Sequence, residues 1–443
     1  MKINRNALFI INILQSHGFK AVLAGGCVRD FLLCVEPNDW DIATNATPDA
    51  VETLFRNSIP VGKAFGVIIV IMGEEQFEVA TFRADKFSVD SDGRRPDAVT
   101  FGDMEEDAKR RDFTINGMFL DPGTGETHDF VGGKEDLLKK TIRFIGDPAK
   151  RIEEDALRIL RAIRFAVQLP DFTLDSETSI YLSGRRERLD QVSQERISQE
   201  LTKMLHAHQP EALLHLLAGS GILGQLLPEI DAMRGCTQPE DYHPEGDVFR
   251  HTIKVLENLP HNASDELLWA ALLHDVGKPP TRTVEDRIRF NCHHLAGADI
   301  ARDILVRLRM PNTFTENVVS LVKNHMRWIS VKEMRKSKLK RFMRLDNFGD
   351  HKALHKADCM ASHEDLSNLY FVENTNFPPE VIRPKPIIGG QDLIDLGFKQ
   401  GPIFSEILTA VEDAQLEGDI DNKEAALEFV REHYNCVKGH SIK

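Results

Sequence analysis

The stretch LAGGCVRDFLLCVEPNDWDIATNAT, residues 23–47, sets a glycine turn able to hold phosphate beside two carboxylates able to hold metal. Leu23 and Ala24 end an apolar run of strand character, and Gly25 and Gly26 let the backbone turn sharply into a helix that begins near Val28. Free N–H groups at that helix start would face a phosphate group. Asp39 and Asp41 stand two apart, with apolar Trp40 and Ile42 as neighbours. On an extended strand both carboxylates leave one face while Trp40 and Ile42 turn to the core, a geometry able to hold one or two divalent ions. Either half alone is common, since a glycine pair is often only a tight turn and a DxD often a solvated loop. Joined through Arg29 and Asp30, the two halves point to a nucleotide handled with metal.

These residues resemble the head of the polymerase β nucleotidyltransferase superfamily, and the GGCVRD form is similar to its class II tRNA nucleotidyltransferase and bacterial poly(A) polymerase branch. The resemblance implies Mg²⁺ on Asp39 and Asp41 and nucleotide contact for Gly25, Gly26 and Arg29. It also implies an α+β fold, with a polymerase β-like nucleotidyltransferase head (a mixed sheet with helices) over residues 1–140. An all-helical neck or body follows over 141–230, then a helical HD domain over 231–365 and a helical tail over 366–443.

Outward from the opening stretch, residues 5–17 read as an amphipathic helix with Leu8, Ile11 and Leu14 on one face. TPDAVETLF starts another helix, with Thr47 as N-cap and Pro48 in its first turn. VGKAFGVIIVIMG reads as a buried strand, and FEVATFR as a second one. In the latter, Glu78 sits between Phe77 and Val79, so a strand points it away from them and towards the aspartate pair, as a third carboxylate for a two-metal site. Residues 84–100 have no apolar period and read as a flexible loop. RRDFTIN follows, and its Arg111, Asp112 and Asn116 are similar to the family's second signature, which implies contact with ribose and triphosphate.

From Thr141 the pattern turns helical, and IRFIGDPAKRIEEDALRILRAIRFAVQL carries Arg158, Arg161 and Arg164 every third residue. Asp155 and Arg158, three apart, are expected side by side on one helix face. A carboxylate accepts from the exocyclic amino group of cytosine or adenine, and a guanidinium donates to the adjacent ring nitrogen. Guanine and uracil mismatch that pair, at ~1–3 kcal/mol per buried unsatisfied group. EDALR is similar to the family's EDxxR nucleotide-selecting motif, in which Glu154 would hold the arginine in place.

A second constellation lies further on: His251, the HD dipeptide His274 and Asp275, His293 and His294, His325, and Asp358. This set resembles the HD metal-dependent phosphohydrolase domain. The resemblance implies core ligands at His251, His274, Asp275 and Asp358, second-metal positions at His294 and His325, and a phosphate-neutralising Lys278. Imidazole and carboxylate donors suit Ni²⁺, Mn²⁺, Zn²⁺ or Fe²⁺.

With 443 residues, 42% hydrophobic and 28% charged, the chain reads as ordinary globular protein with room for several domains. A net charge of −14 argues against promiscuous nucleic-acid binding. One local basic run, KEMRKSKLKRFMR, nevertheless offers Lys336, Lys338, Lys340 and Arg341 as candidates for touching RNA backbone. The six cysteines form no CxxC and fit reduced thiols in a cytoplasm. Val67 to Met72, the longest apolar run, is too short to span a bilayer, and no secretory signal is recognised.

The expected activity is template-independent addition or repair of the 3′-terminal CCA of tRNA from CTP and ATP, with no protein or membrane partner implied. Rivals within the chemistry are a poly(A) polymerase or an enzyme adding only CC or only A. A rival of another class is an HD phosphohydrolase with a non-catalytic RNA-binding head.

Overall fold

A computed structural model of the chain describes residues 2–86, 98–207, 209–239, 246–375, 377–435 and 440–441. The chain forms two compact units, Met1–Pro228 and Glu229–Lys443.

In the first unit, helix α1 (Arg5–Ser16) is capped by Asn4, whose side chain accepts from the N–H groups of Asn6 and Ala7. Its buried stripe is Ala7, Ile10, Ile11 and Leu14, one step round from the face read off the sequence. Then come β1 (Ala21–Ala24), α2 (Gly26–Leu32), β2 (Ile42–Thr44) and α3 (Pro48–Leu54), the last capped by Thr47 as expected. Strands β3 (Ser58–Gly62), β4 (Val67–Met72) and β5 (Glu75–Thr81) follow. A short ladder pairs β6 (Arg83–Lys86) with β7 (Ala98–Phe101), so the segment expected as one loop has strand at both ends; residues 87–97 lie outside the described residues. Helix α4 (Met104–Arg110) starts from a capping box of Asp103 and Glu106. After it come β8 (Met118–Leu120), β9 (Thr127–Asp129) and α5 (Gly133–Leu138).

Seven strands form one mixed sheet in the order β3-β4-β5-β2-β1-β8-β9, in which only β2 and β5 run parallel. The β4 run was expected to be buried throughout. Only Ile68 and Val70 are buried, while Ile69 and Ile71 on the other face are half-exposed, because that face borders an open cleft.

Beyond the sheet the unit is helical apart from a parallel ladder joining Thr141–Ile142 to Thr173–Leu174. Its helices are α6 (Pro148–Glu154), α7 (Arg158–Gln168), α8 (Ser176–Gly184) and α9 (Gln194–Leu205), followed by Pro210–Gly219. The long helix expected through EEDALR is broken at Asp155, whose φ of −154° and ψ of 103° are extended. The cause is local: the Asp155 carboxylate accepts from the Leu157 N–H at 3.1 Å, an Asx turn that separates the two helices instead of continuing the first.

The second unit is mostly helical. Its core elements are Val248–Glu257, Asp265–Leu273, His293–Arg307, Asn312–Asn324 and Phe348–Ala361, with one small hairpin of Arg282–Val284 on Ile288–Phe290. The tail helices Pro402–Glu417 and Lys423–His433 pack their own core around Leu393, Ile407, Val411 and Val430. Here the structure corrects the basic run. Lys340 is buried and donates to the Leu416 carbonyl at 2.5 Å, and Arg341 pairs with Glu412 (2.6 Å) and Asp413 (2.8 Å). Two of the four candidate RNA contacts thus pin the tail, while Lys336 and Lys338 are exposed. Among the described residues no helix is long and apolar enough to cross a membrane, and the described cysteines are free.

Candidate active site

The main cleft of the first unit encloses about 1090 Å³, and the opening stretch forms its floor. Gly25 has φ 74° and ψ −132°, a conformation open essentially only to glycine, and a Cβ there would stand 2.8 Å from Nη1 of Arg111. Trp40 and Ile42 are buried while Asp39 and Asp41 face the cleft, as the alternation requires. The parallel register Ile42↔Val79 carries Glu78 level with Asp41, so a third carboxylate borders the same space. Burial pushes the Asp41 carboxyl up to about 6, and the negative charges of Glu78 and Asp39 add to this against the pull of Arg111. Three acids around one cleft, one of them reluctant to ionise, fit a divalent cation. They are spread more widely than the donor groups of the second unit, and Asp39 and Glu78 are exposed.

Arg110, Arg111, Asp112 and Asn116 of the RRDFTIN segment line the same cleft. Asp107, buried, holds both arginines: Arg110 at 2.6 Å and Arg111 at 3.0 Å. Burial alone would raise the Asp107 carboxyl, but the two guanidinium groups outweigh it and hold the acid low. Arg111 also lies over the Phe119 ring at 5.0 Å. Arg29 is buried, pairs with Asp30 at 2.7 Å and donates to Asn116 Oδ1 at 2.8 Å, which locks the first signature to the second. Asp112 accepts from the Phe113 N–H and from Arg161 Nε, both at 2.8 Å. Its burial works against the charge, yet Arg161 keeps its carboxyl below the usual range.

Asp155 and Arg158 both border this cleft, although not as neighbours on one helix. Asp155 is clasped by Arg196 of α9, with Nη2 2.7 Å from Oδ2. Glu154 does hold the arginine, its Oε2 lying 2.6 Å from Arg158 Nη1. Arg161 and Arg164 continue the cationic line along α7, and Arg164 pairs with buried Glu200 at 2.7 Å.

In the second unit two donor groups could each hold a metal ion, with ligand atoms within 4.8 Å of one another: His251, His274 and Asp358, and Asp275, His293 and His325. The tautomers fit such a role. Nδ1 of His274, His293 and His325 faces the carbonyl of Ala271, Phe290 and Val322 at 2.8, 2.9 and 2.6 Å. A carbonyl can only accept, so each Nδ1 carries a proton and each Nε2 is the ring atom turned inward. Nε2 of His293 and of His325 then face each other at 3.3 Å, and burial pushes the His325 imidazole down to about 3. Asp275 sits at the centre, 3.2 Å from His274 Nε2, and is held well below the usual range against its burial by His274 and Lys278. His251 Nε2 lies 3.0 Å from Asp358. After the HD pair, Gly277 approaches the next helix so closely that a Cβ would meet the His293 carbonyl at 2.1 Å.

The histidine expected as second-metal ligand, His294, stands beside this group and outside it; His293 occupies the position. The helix starting at His293 turns that residue inward, and two adjacent histidines cannot share one helical face. The sequence reading also passed over Asp107, Arg151, Arg161 and Arg196. Asp107 had a signal, since Arg110 and Arg111 follow three and four residues later on a capped helix. The pairs Arg161–Asp112 and Arg196–Asp155 join distant segments and had none.

Comparison with known proteins adds three family models: "Poly A polymerase head domain" over residues 21–143, "Probable RNA and SrmB- binding site of polymerase A" over 171–234, and "HD domain" over 248–348. A CCA-adding enzyme of Geobacillus sp. (strain WCH70) is 32% identical over 443 residues, spanning 99% of this chain and 98% of that one. One from Enterococcus faecalis is 31% identical over 96% of this chain and 94% of its own length. The crystal structure of the Bacillus stearothermophilus CCA-adding enzyme in complex with CTP superposes with a TM-score of 0.66 at 26% identity, covering 96% of each chain.

Proposed function

The chain belongs to the family of CCA-adding enzymes, which are nucleotidyltransferases, and on that footing we propose that it builds or repairs the 3′-terminal CCA of tRNA from CTP and ATP in the cytoplasm. One arrangement carries this reading: the acids Asp39, Asp41 and Glu78 open on the same cleft as Asp155 and Arg158. The first set suits phosphoryl transfer and the second suits cytosine and adenine, so one bound nucleotide can meet both.

Asp39 and Asp41, with Glu78 beside them, would hold Mg²⁺, which when bound supplies positive charge against a triphosphate and lowers the pKa of an attacking hydroxyl. Arg110 and Arg111, anchored on Asp107, present fixed donors to phosphate oxygens, and Asn116 is oriented by Arg29. Gly25, Gly26 and Asp112 complete the wall against ribose and phosphate. Asp155 accepts from the exocyclic amino group of the base and Arg158 donates to the ring nitrogen beside it. The RNA 3′-oxygen bonds to the α-phosphorus, the bond to pyrophosphate breaks, and pyrophosphate leaves. The work of the protein in this step is positioning and charge neutralisation.

The test supplies CTP and ATP, separately and together, to tRNA lacking CCA, ending in C, ending in CC, and to an unrelated RNA. Addition of CCA and no more, lost in Asp39→Ala and Asp41→Ala, supports the reading. A long adenylate tail, or arrest after CC in the presence of ATP, assigns one of the rival activities. No extension of any tRNA sinks it.

The two donor groups of the second unit favour a second activity, phosphohydrolysis. His251, His274 and Asp358, and Asp275, His293 and His325, would hold one or two ions such as Ni²⁺, Mn²⁺, Zn²⁺ or Fe²⁺, which when bound activate water against a phosphoester. Lys278 Nζ, 2.7 Å from Asp275 and 2.5 Å from Gln238 Oε1, would supply the positive charge beside a bound phosphate. Release of phosphate from a 2′,3′-cyclic or 2′-phosphate with Ni²⁺, lost in Asp275→Ala, is the expected result; turnover indifferent to metal and to that change refutes it.

A further inference from the structure

Arg158 is held from behind. Its Nη1 donates to Glu154 Oε2 at 2.6 Å and to the Arg151 carbonyl at 2.8 Å, and its Nη2 reaches the Arg110 carbonyl at 3.5 Å. What holds Glu154 is Arg151. This arginine is buried and uses its whole fork: Nε donates to the Ile145 carbonyl at 2.9 Å, Nη1 to the same Glu154 Oε2 at 2.8 Å, and Nη2 to the carbonyls of Lys109 and of Arg111, the latter at 3.2 Å. One side chain therefore ties the helix end carrying Glu154 and Asp155 to the backbone on either side of Arg110. The side chains of Arg110 and Arg111 line the main cleft with the acids, whereas Arg151 and Glu154 line a separate cleft of about 770 Å³.

We propose that Arg151 is a positioning residue that sets nucleotide selectivity, by fixing both the direction of Arg158 and its distance from the arginines that face the phosphates. The proposal rests on the CCA-adding reading and deepens it. Arg151 does not line the nucleotide cleft, so its influence passes through Glu154, through its own carbonyl and through the 109–111 backbone. Only a planar fork meets four acceptors in these directions; a lysine ammonium carries charge but cannot span them. Without the fork, Glu154 is held by Arg158 alone, and Arg158 keeps only that mobile carboxylate and the main-chain carbonyls of residues 151 and 110. A guanidinium held less firmly can shift to donate to the carbonyl oxygen of uracil or guanine instead of the ring nitrogen of cytosine or adenine. The discrimination built on unmatched groups is then relaxed.

The test compares the full-length wild type with Arg151→Lys, Arg151→Met and Glu154→Gln. kcat and KM are measured for CTP, ATP, UTP and GTP on tRNA lacking its 3′ end, with thermal unfolding and hydrogen exchange of peptides 145–165 as checks of folding. The expected result is a fall of about tenfold or more in the ratio of kcat/KM for CTP over UTP, arising largely from a higher KM for CTP. Arg151→Lys should share that loss although it keeps the charge. Glu154→Gln keeps an acceptor oxygen and should show a smaller loss, which preserves the test if an Arg151 variant folds poorly. A uniform fall for all four nucleotides, with the CTP over UTP ratio unchanged, means that Arg151 only supports the fold and overturns the proposal. A selective wild type with equally selective variants overturns the role of Arg151 alone. A wild type with no preference for CTP and ATP overturns the family reading and this proposal together.

Discussion

Changing Gly25 to alanine probes the feature around which the first unit is built. The residue holds φ 74° and ψ −132°, where a side chain costs about 1–3 kcal/mol in backbone strain. The added Cβ would also lie 2.8 Å from Arg111 Nη1, too close for any contact, so the guanidinium must swing away. That movement breaks its bonds to Asp107 Oδ2, at 3.1 Å from Nε and 3.0 Å from Nη2. Arg110 remains on the buried acid at 2.6 Å, so the carboxylate is weakened rather than orphaned, at about 1 kcal/mol. The expected loss is therefore about 2–4 kcal/mol in the first unit, together with a higher KM for CTP and ATP because a phosphate-facing cation has left its place. Urea titration read by hydrogen exchange of first-unit peptides measures the former, and steady-state kinetics the latter. Gly26→Ala is the internal control. That glycine begins helix α2, and its Cβ would meet only Arg29 Nη2 at 3.7 Å, an ordinary contact. Its stability should stay level or rise by up to about 1 kcal/mol. A Gly25→Ala protein within about 0.5 kcal/mol of wild type, with an unaltered KM, would refute the reasoning.

Three further perturbations separate roles that the structure assigns to neighbouring groups. Asp41 is raised to about 6, chiefly by burial, so its ionised form is the disfavoured one and its contribution to stability is lost as pH rises from the ordinary carboxylate range through about 6. A cation requires the ionised form, so Mg²⁺ binding should release most of a proton at about pH 5 and almost none at about pH 8. Calorimetry in buffers of different ionisation enthalpy measures this, and equal proton release at both pH values would contradict it. His355 is stacked on Trp328 with centroids 4.5 Å apart, and burial pushes it down to about 4. It is neutral when folded and protonates first when unfolded, so its own share of the stability lost as pH drops from about 6.5 to 4 is about 3 kcal/mol, beside parallel losses at His351 and His325. His355→Phe keeps the stack and should lessen the slope of that part of the pH–stability curve; an unchanged slope counts against it. Lys340→Met and Arg341→Ala should loosen the tail, read as faster hydrogen exchange in 402–417, without changing the salt dependence of tRNA binding. Lys336→Ala and Lys338→Ala should do the reverse, each lowering the slope of log K against log salt by about 1 if it touches a phosphate. Binding indifferent to both lysines would remove the run as an RNA contact.

Much of the site was legible where chemistry depends on short spacing. The alternation of Asp39 and Asp41 with Trp40 and Ile42, the capping of α3 by Thr47, and the grip of Glu154 on Arg158 all follow from residues within a few positions of one another. Periodicity misled where a local hydrogen bond outweighed it. Asp155 sits in a pattern that reads as unbroken helix, yet its carboxylate satisfies the Leu157 N–H and ends one helix to start the next. The same holds for the basic run, whose even spacing of charge says nothing of what packs on it; Lys340 and Arg341 were already engaged by Leu416, Glu412 and Asp413.

The sequence by itself determined the class of chemistry, because the groups that hold phosphate, metal and base must be of particular types at particular short intervals. The tertiary structure alone decided which copy of a repeated group is brought to the others. His293 and not His294 enters the donor cluster, because the first turn of a helix can direct only one of two adjacent side chains inward. Glu78 meets Asp41 because a parallel ladder sets Val79 against Ile42. Arg151 reaches the carbonyls of Lys109 and Arg111 across some forty residues of chain. Such pairings are made by folding, when burial removes water from a charged group and leaves it only the partners that the rest of the chain can bring.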